Sequence, residues 1–253
     1  MSPVSPAVHG LLETLAYLIG GALYWRLRDR SSMPAESWRQ LTIIAGALCG
    51  AAVGSRVLYM LDYLQDLRHQ PLLSWLSGKT IVGALLGGLL GVEFAKKVVA
   101  WSRSTGDSFV WPLLIAIAIG RVGCQLSGTE DLTYGTPTSL PWAWNYGDGI
   151  GRHPTAAYEI LGLGLLALIC SAPRLRRVPG DRFRAFMLGY LSLRLALDFL
   201  KPPHGEAAVG VLTPTAYGPL SAIQWACLCG MLYYLPALRG WLARATGRLE
   251  SVG

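Results

Sequence analysis

Apolar residues dominate this chain in long runs that short polar stretches separate. Seven of these runs have the roughly 17–25 residues that a helix needs to cross a bilayer. Within a few residues at each edge, they cover 8–25, 41–61, 79–101, 109–127, 155–171, 183–200 and 219–236. The pattern predicts an all-α polytopic membrane protein with about seven transmembrane helices, in a single domain that spans residues 1–253.

Composition agrees with this fold class. The chain is 52% hydrophobic and only 15% charged, whereas soluble domains carry about 25% charged residues. A formal charge of +7 would indicate nucleic acid in a soluble protein. In a membrane protein it is accounted for by basic cytoplasmic loops, so we expect membrane lipids and no nucleic acid as partners.

Lysine and arginine alternate between rich and poor loops along the chain. The rich loops are the first, third and fifth, together with the C-terminal tail. The positive-inside rule then places the N-terminus outside and the C-terminus in the cytoplasm, with the first span retained. The loop 128–153 faces outward in this arrangement. Its aromatic, glycine and proline residues predict a small domain at the headgroup level, with a short hairpin.

Three arginines lie within or at the end of apolar runs: Arg56, Arg121 and Arg194. They belong to the second, fourth and sixth spans, at comparable predicted depth. A guanidinium stays charged when buried and matches the geometry of a phosphate. We therefore expect a shared pocket for a phospholipid phosphate, with membrane anchoring or structural ion pairs as the alternative.

The mouth of the fifth span carries a dense group of polar residues. Arg152, His153 and Pro154 open the apolar run, and Tyr158 and Glu159 follow within it. Intramembrane charges are usually functional. By position His153 is the candidate base, and a structural helix start at Pro154 is the alternative.

Two further pairs share a helix face at a spacing of four residues. Arg194 and Asp198 form an expected ion pair that either stabilises the scaffold or orients the arginine. His9 and Glu13 either form an ion pair at a helix end, or His9 is a second candidate base.

Small residues are concentrated in the third span, where Gly83, Gly87 and Gly91 form two overlapping GxxxG motifs. Such motifs let another helix approach closely. Packing is the favoured interpretation, and room for a lipid chain against bare backbone is the alternative. The five cysteines lack zinc-site spacing and are interpreted as small packing residues.

These blocks, spread over most of the chain, resemble the prolipoprotein diacylglyceryl transferase family. Gly120-Arg121-Val122-Gly123 is similar to the family's GRxGN signature, and residues 152–159 (RHPTAAYE) are similar to its RHPSQLYE block. Residues 54–59 (GSRVLY) resemble its GARxxY segment. Arg194 with Asp198 resembles an arginine followed four residues later by glutamate.

The resemblance implies transfer of diacylglyceryl from phosphatidylglycerol to the lipobox cysteine thiol of a preprolipoprotein, with glycerol 1-phosphate as by-product. It implies a multi-pass protein of the bacterial inner membrane that uses no metal or cofactor. The expected catalytic residues are Arg121, Arg194 and His153. The expected substrate-binding residues are Arg56, Arg152, Tyr158, Glu159, Asp198, Gly83 and Gly87.

The chain departs from the family pattern at several positions. Val82 stands where the family's third span carries a histidine, and Cys124 replaces the asparagine of the GRxGN signature. Asp198 is a shortened glutamate. Because valine cannot accept a proton, three outcomes stay open. Another base, His153 or His9, serves the reaction; or the acceptor has changed; or the protein only binds lipid.

Overall fold

The computed structural model describes residues 6–76, 78–128, 133–202 and 215–245, so positions 129–132 of the predicted outer loop lie outside the described residues. Helices make up most of the described chain. In order they are α1 (Pro6–Leu27), α2 (Ser37–Asp62), α3 (Leu64–Leu67), α4 (Ile81–Val98), α5 (Val110–Leu126), α6 (Thr155–Ser171), α7 (Asp181–Asp198) and α8 (Ala222–Ala245). Apart from the one-turn α3, each helix falls on one of the seven apolar runs.

The surface of these helices is rich in apolar side chains. Within the described residues, two helical stretches are long and apolar enough to cross a membrane, Ser37–Asp62 and Gly106–Leu126, and Thr155–Ser171 is a shorter apolar helix. On α6, Leu161 and Leu168 are 73% and 71% exposed. A soluble monomer rarely exposes apolar surface on this scale, so the surface suits a lipid environment.

Six of the helices build the main core. Helix α5 packs against α1 and α6, α7 against α6 and α8, and α8 also contacts α2 and α4. The core is filled by buried side chains from α2, which adds Leu58, and from each of α4 to α8, including Val82, Ile117, Leu163, Tyr190 and Cys227. In lipid such helices are held together by van der Waals packing and polar contacts rather than by the hydrophobic effect.

Helices α2 and α4 meet through glycines, backbone against backbone. A Cβ atom on Gly87 would lie 2.2 Å from the carbonyl oxygen of Gly50, and one on Gly50 would lie 2.3 Å from that of Gly87. Gly54 and Gly83 form an equivalent pair, with 2.4 and 2.3 Å. The side of Gly83 and Gly87 that faces α2 therefore leaves no room for a lipid chain, and the packing interpretation accounts for both.

Two small hairpins lie at the end of the helices where α5 ends and α6 and α8 begin. Strands β1 (Trp144–Asn145) and β2 (Gly151–Arg152) pair antiparallel, with Trp144 opposite Arg152. Strands β3 (Ala216–Tyr217) and β4 (Leu220–Ser221) pair in the same way just before α8. The first hairpin turns through Gly147 and Gly149, at φ 109° and 80°, where glycine has no steric penalty.

Side chains from distant segments fix the starts of the helices around the core. Asp107 accepts hydrogen bonds from the backbone N–H groups of Gly180 (2.7 Å) and Phe183 (2.9 Å) at the start of α7. The backbone N–H of Ile223 in α8 donates to Asp62 Oδ1 at 3.2 Å. These bonds satisfy N–H groups that a helix start leaves unpaired, and they tie α7 and α8 to their neighbours.

Candidate active site

Glu159 is the centre of a buried cluster of charged side chains. It lies in α6 with 1% of its surface exposed. Tyr190 Oη donates to its Oε1 at 2.8 Å, and Arg194 Nη1 donates to its Oε2 at 3.3 Å. Arg121 Nε lies 2.9 Å from the same Oε2. A buried carboxylate is tolerated only when it is paired, and Glu159 is paired with two arginines at once.

The contact of Arg121 is ionic rather than a hydrogen bond through Nε. Although its Nε is close to Glu159, the N–H does not point at the oxygen, and this buried nitrogen makes no hydrogen bond. Arg121 Nη1 donates to Cys124 Sγ at 3.6 Å. The thiol that replaces the family's asparagine therefore lies against the guanidinium.

Asp198 extends the cluster toward the end of α7. Its Oδ1 accepts from Arg194 Nη2 at 3.2 Å, which confirms the ion pair expected from their spacing. Its Oδ2 accepts from Ser221 Oγ at 3.2 Å. The ammonium of Lys201 lies 3.5 Å from Oδ1. We call Arg121, Glu159, Tyr190, Arg194, Asp198 and Lys201 the charge cluster.

Arg56 is held in a different place from the other two arginines. Its guanidinium donates to the carbonyl oxygens of Leu76 and, at 2.8 Å, of Gly78. In the described part of the chain these contacts tie α2 to the segment before α4. Both contacts use Nη1 and are separate from those of Arg121 and Arg194, so a phosphate pocket shared by all three arginines stays a prediction.

Arg152 closes the first hairpin on itself. Its Nε and Nη2 lie 2.9 and 2.8 Å from Asp148 Oδ2, and its guanidinium stands 4.9 Å from the ring centroid of Tyr134. Burial alone would raise the pKa of Asp148. The Ile150 N–H and the Arg152 guanidinium outweigh it, so that pKa lies below its ordinary value.

His153 lies beside the start of α6, in a group of aromatic side chains. Its Nδ1 is 3.3 Å from Tyr158 Oη, and Trp142 Nε1 donates to the same hydroxyl at 2.7 Å. Pro154 caps α6, as the structural interpretation expected. His153 therefore connects the hairpin segment to α6. The Tyr158 hydroxyl is the contact that His153 and Trp142 have in common.

The other candidate base, His9, packs against α5. Its Nδ1 lies 3.0 Å from Ser127 Oγ. Glu13, on the same face of α1, forms an ion pair with Lys79 and accepts a hydrogen bond from Tyr17 Oη at 2.8 Å. The Glu13–Lys79 ion pair thus connects this end of α1 to the segment before α4.

Val82, at the position of the family's histidine, is 1% exposed and belongs to the apolar core with Leu58 and Leu85. Its side chain contributes packing and no proton chemistry.

Two cluster residues were missed from the sequence. Tyr190 precedes Arg194 by four residues, as Arg194 precedes Asp198, so one face of α7 carries a polar stripe at helical spacing. That spacing was a usable signal. Lys201 resembles an ordinary loop lysine, and only the fold shows that its side chain is largely shielded from solvent beside Asp198.

Similarity to known proteins decides the family. The model of the prolipoprotein diacylglyceryl transferase family matches residues 1–238. This chain belongs to the prolipoprotein diacylglyceryl transferase family. A phosphatidylglycerol–prolipoprotein diacylglyceryl transferase from Methylococcus capsulatus is 32% identical over 250 residues, covering 91% of this chain and 90% of the relative. A protein of the same name from Polynucleobacter necessarius is 33% identical over 240 residues, covering 88% and 87%.

In this prolipoprotein diacylglyceryl transferase family member, the charge cluster joins two of the sequence blocks that carry the resemblance. Arg121 comes from the first block and Glu159 from the second, and α7 adds Arg194. Two guanidinium groups aligned on one carboxylate form a preorganised set of cationic donors. Such a set can bind a phosphate and stabilise negative charge that develops on it.

Proposed function

We propose that this protein transfers the diacylglyceryl group of phosphatidylglycerol to the lipobox cysteine thiol of a prolipoprotein signal peptide. The carrying observation is the sharing of Glu159 by Arg121 and Arg194 in a site only a few per cent exposed. The names of the relatives give the donor and the acceptor class. The lipobox thiol as nucleophile is part of the proposal.

The chemistry follows from the donors of the two arginines. Each guanidinium carries five N–H groups, and Glu159 can align only some of them. The remaining donors suit the phosphodiester of the lipid. When the C–O bond to phosphate breaks, negative charge grows on the departing glycerol phosphate, where fixed cationic donors are worth most. Glu159 positions the guanidinium groups and takes no part in bond breaking.

Val82 favours a second candidate. With an apolar side chain where the family has a histidine, the site could serve a related membrane enzyme with a different acceptor, or bind phospholipid without turnover. Both forms of this second candidate keep the arginines and the bound lipid phosphate. They differ from the first candidate only in what happens to the bound lipid.

A mass measurement tests the first candidate. Purified protein in phosphatidylglycerol liposomes should add one diacylglyceryl group to a lipobox peptide, and a Cys→Ser peptide should stay unchanged. Arg121→Ala should lower the rate about 10²–10³-fold, the usual effect of removing one donor to a developing oxyanion. The exposed Arg176→Ala is the matched control and should be unaffected. A wild-type protein that binds the lipid but leaves the peptide mass unchanged would favour the second candidate.

We also propose that the seven long helices all span the bacterial inner membrane, with the first hairpin outside. Two single-cysteine variants in a cysteine-free background test the orientation. Asp148→Cys in the hairpin should react with an impermeant maleimide on intact spheroplasts, and Arg176→Cys should react only after lysis. The reverse pattern would invert the topology.

A further inference from the structure

Thiol attack requires a group that accepts the thiol proton, and the charge cluster offers few. Glu159 is occupied by two arginines and Tyr190. Val82 cannot accept a proton. Among the remaining titratable side chains of the cluster, Lys201 is the one whose neutral form is a strong base.

Lys201 is held in the cluster by its place in the chain. It lies beyond the end of α7 and of the apolar run 183–200, and its backbone N–H donates to the Asp198 carbonyl at 3.2 Å. Its side chain is 13% exposed, with Nζ 3.5 Å from Asp198 Oδ1. The amine is therefore largely shielded from solvent at the edge of the cluster, near the arginines.

The surroundings of Lys201 favour the neutral amine. Burial is the main cause that lowers its pKa, and the positive charges of Arg194 and Arg121 lower it further. The carboxylates of Asp198 in α7 and Asp62 in α2 act in the opposite direction. The balance places the pKa of Lys201 below that of a solvated lysine.

When Lys201 loses its charge, the Asp198 carboxylate still has hydrogen-bond partners. Asp198 keeps its hydrogen bonds from Arg194 Nη2 and Ser221 Oγ, both at 3.2 Å. An unpaired buried charge would be strongly unfavourable, and that penalty does not arise here. The cluster can therefore hold Lys201 in either protonation state.

We propose that Lys201 accepts the proton of the acceptor thiol, a role that rests on the proposed transferase function. The thiol sulfur forms a bond to the glyceryl carbon that carries the phosphate. The C–O bond breaks, its electron pair leaves with the phosphate oxygen, and the thiol proton moves to Nζ to give the ammonium. The ammonium then returns the proton to the released glycerol phosphate or to water.

Lys201→Arg tests this role because it keeps the positive charge, while an arginine does not release its proton in a protein. At pH 7 and saturating phosphatidylglycerol, we expect kcat to fall about 10²-fold, in the range of general-base effects, with KM for the lipid unchanged. The defect should shrink as the pH rises past about 8.5, where the thiol ionises without help.

Full activity of Lys201→Arg at pH 7 would show that only the charge matters, and a defect of constant size at every pH would show a purely structural role. Either result overturns the proposal. If Lys201→Arg does not fold, Lys201→Ala replaces it. Ethylamine should restore transfer to that variant and tetraethylammonium should not; failure of both would also overturn the role. If the wild-type protein transfers no diacylglyceryl group, that result would instead contradict the proposed function itself.

Discussion

Gly87→Ala should leave this protein largely unfolded, or unfolding far below the wild-type temperature. The new Cβ atom would lie 2.2 Å from the Gly50 carbonyl oxygen, which belongs to the backbone and cannot rotate away. Helices α2 and α4 must separate, and they lose contact along their length. Overpacking usually costs about 1–3 kcal/mol, and we expect at least the upper end. Thermal unfolding in lipid nanodiscs measures the loss.

Gly88→Ala is the matched control. It is the next residue of the same helix, but its Cβ atom would meet its nearest neighbour, the Ala47 carbonyl, at 3.5 Å, an ordinary contact. Its midpoint should stay near the wild-type value. The double variant Gly50→Ala/Gly87→Ala should cost less than the sum of the single changes, because both act through one interhelical distance. Strict additivity would contradict this packing.

Glu159→Gln should destabilise the protein by about 3–5 kcal/mol, the usual result of removing one partner from a buried ion pair. Arg121 and Arg194 would then face an uncharged amide with 6% of each arginine exposed. Transfer activity should fall with stability, because the guanidinium groups lose the carboxylate that aligns them. Unfolding midpoints measure the loss of stability, and the peptide mass assay measures the loss of transfer activity.

Two variants separate charge from hydrogen bonding. Tyr190→Phe removes one hydrogen bond to Glu159 and should cost only about 0.5–1.5 kcal/mol. Glu159→Gln/Arg121→Gln should be more stable than Glu159→Gln alone, because one unpaired charge disappears, yet remain inactive. Wild-type stability in Glu159→Gln would mean that the cluster tolerates unpaired arginines.

Much of the secondary structure follows from local sequence. The run 155–171 coincides with α6, and the run 41–61 lies inside α2 (Ser37–Asp62). Long apolar segments predict helices well because every backbone group in lipid must be satisfied within its own segment. Helix ends are less predictable. Helix α8 starts at Ala222, where Asp62 and the capping pair Ser221 and Gln224 fix it.

Four of the six residues of the charge cluster were predicted from the sequence, but their contacts were not. Arg194 and Asp198 lie on one helix, so their spacing was sufficient. The sharing of Glu159 by two arginines depends on how α5, α6 and α7 pack, which no local pattern encodes. Arg56 shows the converse: it resembled the other two in type and predicted depth, but the carbonyls of Leu76 and Gly78 hold it elsewhere.

The glycine contact between α2 and α4 also constrains motion. A Cβ atom at Gly50, Gly54, Gly83 or Gly87 would lie 2.2–2.4 Å from a carbonyl oxygen of the facing helix, so the two backbones interlock along this contact. The two helices must therefore move as one rigid body. A phospholipid therefore has to enter between other helices of the fold. Crosslinking α2 to α4 should leave that entry route open.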